Sequence, residues 1–413
     1  MFRQIRTLKD VVDWGLCTGC GACFYACRKG GISLVNVESV GIRPRFKSAD
    51  CASCTECLSI CPGYSVDASL VSGHAARPTE ADHEFGPALE IWEGYAADPE
   101  IRYKASSGGL LTALALYCLE NENMEFALHT GMDESKPWTN RTVQSRTRED
   151  LLRRTGSRYA PASPCDGLQA IEQSPRPCVF IGKPCDAAAV GKLREERPQL
   201  DRNLGLVLTF FCAGTPSTQG TLDLITSLGV APKTATFVRY RGEGWPGRFK
   251  VLFNGNGGGK AAPYDESWGR LAHYTALRCR LCPDGLGRVA DISCGDAWER
   301  FSGDGDPGCS IALVRTRRGS EILHRAIDAG YVELRPTGPQ AVFAAQPNLL
   351  ARRREIFGRL LAMRAFLVPI PRFRGFSLLR GWKSLPPGRK IRSVLGTARR
   401  IALRSMWRRR PVT

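Results

Sequence analysis

The sequence predicts an α+β module gathered around eight cysteines, then an α/β domain on a mixed sheet, then a basic helical tail. Three observations carry that prediction. Eight of the seventeen cysteines fall in two evenly spaced runs between Cys17 and Cys61. Apolar strand-like segments then alternate with helical ones, the pattern of an α/β sheet. Finally, the stretch from Ala351 to the end holds eighteen Lys and Arg against one acid, Glu355, and so carries +17 of the net +18. The remaining 350 residues sit at +1, which argues against a protein that coats nucleic acid, so no nucleic-acid partner is expected. A chain of 413 residues has room for two or three domains.

The first run is Cys17, Cys20, Cys23 and Cys27; the second is Cys51, Cys54, Cys57 and Cys61. Each reads C-x2-C-x2-C-x3-C, the spacing of a bacterial two-cluster ferredoxin. Three thiolates two residues apart turn inward around one corner of an iron–sulfur cube, and the fourth reaches the neighbouring cube. One [4Fe–4S] cluster is therefore assigned to Cys17, Cys20, Cys23 and Cys61, the other to Cys51, Cys54, Cys57 and Cys27. Structural zinc is the alternative, but it favours two-plus-two pairs across a wide gap. Arg28 stands where Pro62 follows the second run, a departure that removes no ligand. Thiolates at ligand spacing belong in a reducing compartment. The start shows no apolar signal stretch, and no run approaches the roughly 18 apolar residues of a membrane span. The expected location is cytoplasmic, either free or peripheral on the cytosolic membrane face.

Taken in order, residues 1–75 form the cluster module, with Ile32–Val37 as a flanking strand. Gly, Pro and acidic residues rise from Ser72 to Pro99, as in a surface linker. Ser106 or Ser107 is the expected N-cap of an Ala/Leu-rich helix ending near Glu120. Gly108 and Gly109 beside it let the backbone approach an anion at the helix start. Pro177–Gly182 is an expected strand, followed by a helix to about Glu196. Leu204–Phe211 is the next strand, followed by a capped helix from Ser217 to Leu228. Strands are also expected at Phe237–Arg241, Arg248–Phe253, Val289–Cys294 and Ile311–Arg315, with a helix over Gly319–Ala329. The histidines His74, His83, His129, His273 and His324 show no triad or metal spacing and read as surface or satisfied core residues.

Several short stretches are dense in Gly, Pro, Cys and Trp: Gly156 to Tyr159, Ile181 to Cys185, Phe211-Cys212, Arg239 to Gly247, Arg278 to Gly285 and Ala290 to Trp298. With Ser106 to Gly109 they resemble the coenzyme F420 hydrogenase/dehydrogenase beta subunit family, whose relatives include 7-hydroxymethyl chlorophyll a reductase and a cyanobacterial-type divinyl chlorophyllide reductase. The resemblance covers about residues 15–335. It implies an FAD-binding α/β domain, iron–sulfur clusters and flavin-mediated electron transfer. The expected architecture is then an α+β ferredoxin-like two-cluster module (1–75), an α/β mixed-sheet flavin-binding domain (76–350) and a basic helical C-terminal tail (351–413).

Carried over by resemblance, Ser106, Ser107, Gly108, Gly109 and Thr112 look like an FAD-contacting loop and helix start. Gly156, Ser157 and Tyr159, with Gly182, Lys183 and Pro184, look like strand-end loops around the flavin. Tyr240, Arg241, Trp245, Asp291, Gly295 and Asp296 resemble pocket-lining positions. Cys185, Cys212, Cys279 and Cys282 lie in the same motifs, either as ligands of a third [4Fe–4S] cluster or as ordinary buried thiols. Lys183, Tyr240 and Asp284 are candidate proton donors, or else structural hydrogen-bonding residues.

The expected function is an iron–sulfur flavoprotein oxidoreductase. It would pass electrons between an external one-electron carrier such as ferredoxin, the [4Fe–4S] clusters, FAD and an organic hydride donor or acceptor, either coenzyme F420 or a biosynthetic intermediate. The alternative is a non-catalytic electron-transfer subunit of a larger redox complex. The tail mixes Arg with Phe373, Phe376, Trp382 and Trp407. It reads either as a membrane-surface or partner contact, or as helices packed on the body with solvated Arg faces.

Overall fold

The computed structural model describes residues 4–69, 79–254, 258–303 and 305–411. The boundary expected at residue 75 and the reading of His74 lie outside the described residues. The first helix, Leu8–Asp13, opens on a reciprocal cap: the Thr7 hydroxyl accepts from the Asp10 N–H, and the Asp10 carboxylate accepts from the Thr7 N–H. Strands β1 (Ile32–Val37) and β2 (Gly41–Phe46) then form an antiparallel hairpin between the two cysteine runs, and β3 (Ser65–Asp67) follows the second run.

The expected linker up to Pro99 is a correction. Residues 80–96 hold a helix, Glu80–Phe85, and strand β4 (Glu90–Ala96), which lies inside the main sheet. Its acidic residues misled because Glu93 is a buried side chain, 2 % exposed, paired with Arg300 and Arg335. The sheet continues with β5 (Ala127–Met132), β6 (Asn140–Ser145), β7 (Cys178–Gly182) and β8 (Leu204–Phe210). A separate antiparallel sheet holds β9 (Ala235–Arg239), β10 (Arg248–Phe253) and β11 (Gly259–Pro263). Strands β12 (Ile292–Asp296), β13 (Ser310–Val314) and β14 (Val332–Pro336) complete the main sheet, ordered β14-β4-β13-β12-β8-β7-β5-β6. Strands β12, β8, β7 and β5 run parallel, and the flanks pair antiparallel, so the expected mixed sheet is present.

A sheet with a parallel centre needs cover on both faces. Helices Leu110–Asn121 and Arg317–Asp328 bury Leu114, Leu116, Ile322 and Leu323 against one face. Helix Pro184–Glu196 covers the other with Ala187, Val190 and Leu193. Cys20, Ala22, Tyr25 and Ile60 join that second core, so the cysteine module is packed directly onto the sheet.

The expected caps also need correction. The residue before the Leu110 helix is Gly109, left-handed at φ 79°, not Ser106 or Ser107. Ser217 precedes helix Thr218–Ser227 but makes no capping hydrogen bond. The tail takes the second of its two expected forms, helices packed on the body. It folds into helices Pro347–Arg354, Ile356–Ala365, Leu378–Lys383 and Pro387–Leu403, with strand β15 (Arg372–Arg374) paired in parallel to β3. Ile356, Leu360, Met363, Val368 and Ile401 share one core with Leu8, Val11, Leu16, Cys17, Cys23 and Cys61. Some of its charges are paired, Arg353 and Arg354 with Glu84, Arg359 and Arg389 with Glu355, and Arg409 with Asp10, of which Arg353 is buried.

Candidate functional site

The eight N-terminal cysteines separate into two groups in space. A small internal cavity is lined by Cys17, Cys20, Cys23 and Cys61 together. Burial pushes the Cys61 thiol up to about 12, with Cys20 and Cys17 raising it further. Burial likewise drives Cys23 well up, followed by Cys20, Cys17, Cys61 and then Cys57. In the second group burial lifts Cys57 to about 12, with Cys27, Cys54 and Cys51 adding to it. Each run thus lends its fourth cysteine to the other group, and Cys23 beside Cys57 is the point of contact between groups. Among the described residues no three His, Cys, Asp or Glu side chains converge on a single metal-ion position.

The backbone fits thiolate sulfur. Gly31 donates its N–H to Cys27 Sγ at 3.3 Å, and Gly19 donates to Cys17 Sγ at 3.4 Å. A Cβ on Gly31 would sit 2.9 Å from Cys51 Sγ, so only glycine permits this approach. Cys165, which carried no signal in the sequence, is fully buried and hydrogen-bonds to Cys20, the main cause of that thiol's lowered pKa.

A third group forms where Cys185, Cys212, Cys279 and Cys282 approach one another. Burial raises Cys212 to about 12, and the next causes are Cys279 and Cys282. Cys185 is driven well up by burial, then by Asp186, with Cys212 and Cys279 among the neighbours that add to it. The Thr215 N–H donates to Cys279 Sγ at 3.5 Å.

Beside this group lies a cavity of about 1340 Å³, at the carboxyl ends of β7, β8 and β12. Open α/β sheets place their ligands at such strand ends. Its volume exceeds the roughly 300–1,000 Å³ of an ordinary small-molecule pocket. Ser106, Ser107, Gly109 and Thr112 line it, as do Gly156, Ser157 and Tyr159. Gly182, Lys183, Arg241, Trp245, Gly295 and Asp296 complete the expected wall, and Cys212 reaches it too. The Ser106 hydroxyl accepts from the Ser157 N–H at 2.9 Å, joining two of the expected loops. The helix starting at Leu110 has no side-chain cap, so its first N–H groups and positive dipole end face this space.

Other expected residues lie elsewhere. Gly108 packs against Gly308 and Cys309. Pro184 begins the helix behind the wall. Tyr240 is 1 % exposed, its hydroxyl held by Thr221 at 2.8 Å, in the core of the small sheet. The Asp284 carboxylate accepts from the Arg288 N–H at 3.1 Å. Asp291 accepts from the Val207 N–H at 2.7 Å and from the Thr316 hydroxyl at 2.6 Å. None of these five lines the cavity.

Lys183 does line it, 6 % exposed, with Nζ at 2.8 Å from Asp186 and donating to the Ala162 carbonyl at 3.0 Å. Burial works against its charge, but Asp186, Cys185 and Cys212 outweigh it and hold the ammonium above its ordinary range. Arg241 is 2 % exposed and donates to both Asp296 oxygens at 2.9 and 2.6 Å. Its guanidinium lies over the rings of Tyr264 and Trp298. Trp245 donates to Asp296 at 2.7 Å and stacks on Trp298, which stacks on Tyr264. Sequence reasoning missed Tyr264, Trp298, Asp186 and His129 as lining residues. Trp298 closed a stretch already singled out and Asp186 stood next to one, whereas Tyr264 and His129 carry no local signal.

Known proteins resolve the family. Residues 176–340 match the carboxyl-terminal part of the coenzyme F420 hydrogenase/dehydrogenase beta subunit, and residues 91–169 match its amino-terminal part. The chain belongs to the coenzyme F420 hydrogenase/dehydrogenase beta subunit family. Residues 16–64 of this family member match a 4Fe-4S dicluster domain, so the N-terminal module is an iron–sulfur domain. The coenzyme F420 hydrogenase subunit beta of Methanosarcina barkeri is 26 % identical over 257 residues, 58 % of this chain and 79 % of that protein. The coenzyme F420-dependent sulfite reductase of Methanocaldococcus jannaschii is 25 % identical over 335 residues, 76 % of this chain and 46 % of that protein, so the chain spans under half of that relative. A chain of the F420-reducing [NiFe] hydrogenase complex from Methanosarcina barkeri shares the fold at a TM-score of 0.53, with 23 % identity, covering 68 % of this chain and 93 % of that one.

Proposed function

We propose that this chain is an iron–sulfur flavoprotein oxidoreductase linking a one-electron carrier to an organic hydride donor or acceptor. The observation that carries the reading is the cavity of about 1340 Å³ with Cys212 on its wall, where room for a large cofactor adjoins a cysteine group. In this reading residues 1–75 are the cluster module, 76–350 the cofactor domain, and 351–413 a tail packed on the module. Cys17, Cys20, Cys23 and Cys61 would hold one [4Fe–4S] cluster, Cys51, Cys54, Cys57 and Cys27 a second, and Cys185, Cys212, Cys279 and Cys282 a third. The uncapped helix start behind Ser106, Ser107 and Gly109 suits the pyrophosphate of FAD, with Gly156, Ser157 and Tyr159 across the cavity. When bound, a flavin exchanges hydride for the single electrons that clusters carry.

The chain's own residues then do the following. Trp245, Trp298 and Tyr264 exclude water and offer flat faces, and Asp296 fixes Arg241 at the wall. Lys183 keeps its Nζ proton against Asp186, so it fixes the loop at the cavity wall as half of an ion pair rather than serving as a ready acid. The names of the relatives favour coenzyme F420 as the hydride partner and protein subunits as neighbours. The test is whether the isolated chain, prepared without oxygen, reduces coenzyme F420 with reduced ferredoxin or viologen dye. Turnover supports the enzyme. No turnover until another subunit is added supports the second reading, an electron-transfer subunit, which the relatives' own subunit names favour.

The tail adds a location. No helix among the described residues is long and apolar enough to cross a membrane. Helix Pro387–Leu403 buries Ser393, Thr397 and Ile401 and turns Ile391, Leu395 and Leu403 outward beside exposed Arg392 and Arg399. Such a face suits an anionic lipid surface, with about 1 kcal/mol for each near-surface charge. Flotation of the full chain with anionic vesicles should fall in Ile391→Gln/Leu395→Gln, and equal flotation would remove the proposal.

A further inference from the structure

Arg278 is one of the most deeply buried large side chains, 1 % exposed, yet among the described residues no carboxylate pairs with it. One guanidinium nitrogen donates to the Pro62 carbonyl at 2.8 Å, Nε has no hydrogen-bond partner, and the group lies over the Phe373 ring at 5.0 Å. A buried cation without a counter-ion is strongly unfavourable, so an anion is expected at this place.

The surroundings say which one. Pro62 follows Cys61, a member of the first cysteine group, while Cys279, of the third, is the residue next to Arg278. Leu277 and Leu281 on either side pack into the core around Cys17, Cys23, Cys57 and Cys61. The short helix Leu277–Arg280 therefore stands between the two groups with Arg278 pointing across. The other charges beside Cys282 are Asp284 and Arg352. Arg352 donates to the carbonyls of Cys212 and Ala213 and also has an Nε without a hydrogen-bond partner, but it is only partly buried, whereas Arg278 is enclosed. Nearer Cys185, Lys183 is already paired with Asp186.

We infer that Arg278 is the counter-ion of an iron–sulfur cluster held by Cys185, Cys212, Cys279 and Cys282, and that it raises that cluster's reduction potential. The inference rests on the third-cluster reading above. A cube with four thiolates is net anionic and gains a further negative charge on reduction. A fixed buried cation therefore favours the reduced form, since net charge and nearby hydrogen bonds set such potentials. Arg278 is a positioning residue, acting on the cluster through charge and, through the Pro62 carbonyl, fixing its separation from the first group.

The test is an anaerobic redox titration followed by electron paramagnetic resonance, with iron counted on the same samples, for wild type, Arg278→Gln, Arg278→Lys and Phe373→Glu. The last variant leaves Arg278 in place and sets a carboxylate against it. All four should hold about twelve iron atoms, the content of three cubes. One cluster in Arg278→Gln and in Phe373→Glu should show at least a tenfold fall in its reduced-to-oxidised ratio at fixed potential, about 59 mV for one electron. Arg278→Lys should stay near wild type. Unchanged potentials in whichever of the two variants holds full iron would overturn the role of Arg278. About eight iron atoms in the wild type would instead remove the third cluster, and the inference with it.

Discussion

Cys61 and Cys27 are the residues on which the crossed ligand sets turn. Replacing Cys61 by Ala should cost about four iron atoms per chain, the content of one cube. Adding Cys17→Ala should cost no more, because both lie in one group. Adding Cys51→Ala should cost about four further atoms. Iron analysis of the double variants checks this, and a further loss from the Cys17/Cys61 pair would show that the runs do not cross. His129 gives a second prediction, in pH. Its ring is buried at 9 % exposure, bonded through Nε2 to Ser145 at 2.7 Å. Burial first, then Arg154, lowers its pKa from 6.5 to about 4. A histidine held neutral contributes stability that is present above pH 6.5 and is lost as pH falls toward 4, because only the unfolded chain takes up the proton. The loss is about 3 kcal/mol. Thermal unfolding between pH 7 and 4 should therefore be less acid-sensitive in His129→Gln than in wild type.

Elements were legible where period and boundary agree. Ile32–Val37 and Arg248–Phe253 are found over the expected residues. Helix Pro184–Glu196 follows from Pro at its first position and an Ala-rich interior. Strand β4 was hidden because its inward acid, Glu93, is neutralised by Arg300 and Arg335, which are more than 200 residues away. The expected Val289–Cys294 strand lies at Ile292–Asp296, since the Asp291 side chain is committed to β8 before the strand begins. The packing of the tail was one of two open readings, because its buried apolar residues are sparse among the Arg. Ile401 is fully buried in the core that holds Cys17 and Cys61. Ile401→Ala should cost about 2–5 kcal/mol in thermal or denaturant unfolding, as for an aliphatic side chain in a filled core. A cost within about 0.5 kcal/mol, usual for surface changes, would contradict a tail packed into that core.

At the scale of the molecule, three cysteine groups run from the β1–β2 module to the cavity, tied by Cys23 beside Cys57 and by Arg278 on Pro62. Spacing alone announced the first eight cysteines, because ligands of one cube must lie close in sequence or in two short runs. The third group was only half legible, since its members come from three separate segments that the sheet brings together. The aromatic wall was legible only at Trp298, because Tyr264 arrives from the small sheet and meets Trp298 only in the folded chain. Iron, acid-labile sulfide and extracted flavin, quantified on one anaerobic preparation of the full chain, test the central claim most directly. About twelve irons with equal sulfide and one FAD per chain is the expected result. A preparation with fewer than about eight irons, or with full iron and no flavin after reconstitution, would contradict it.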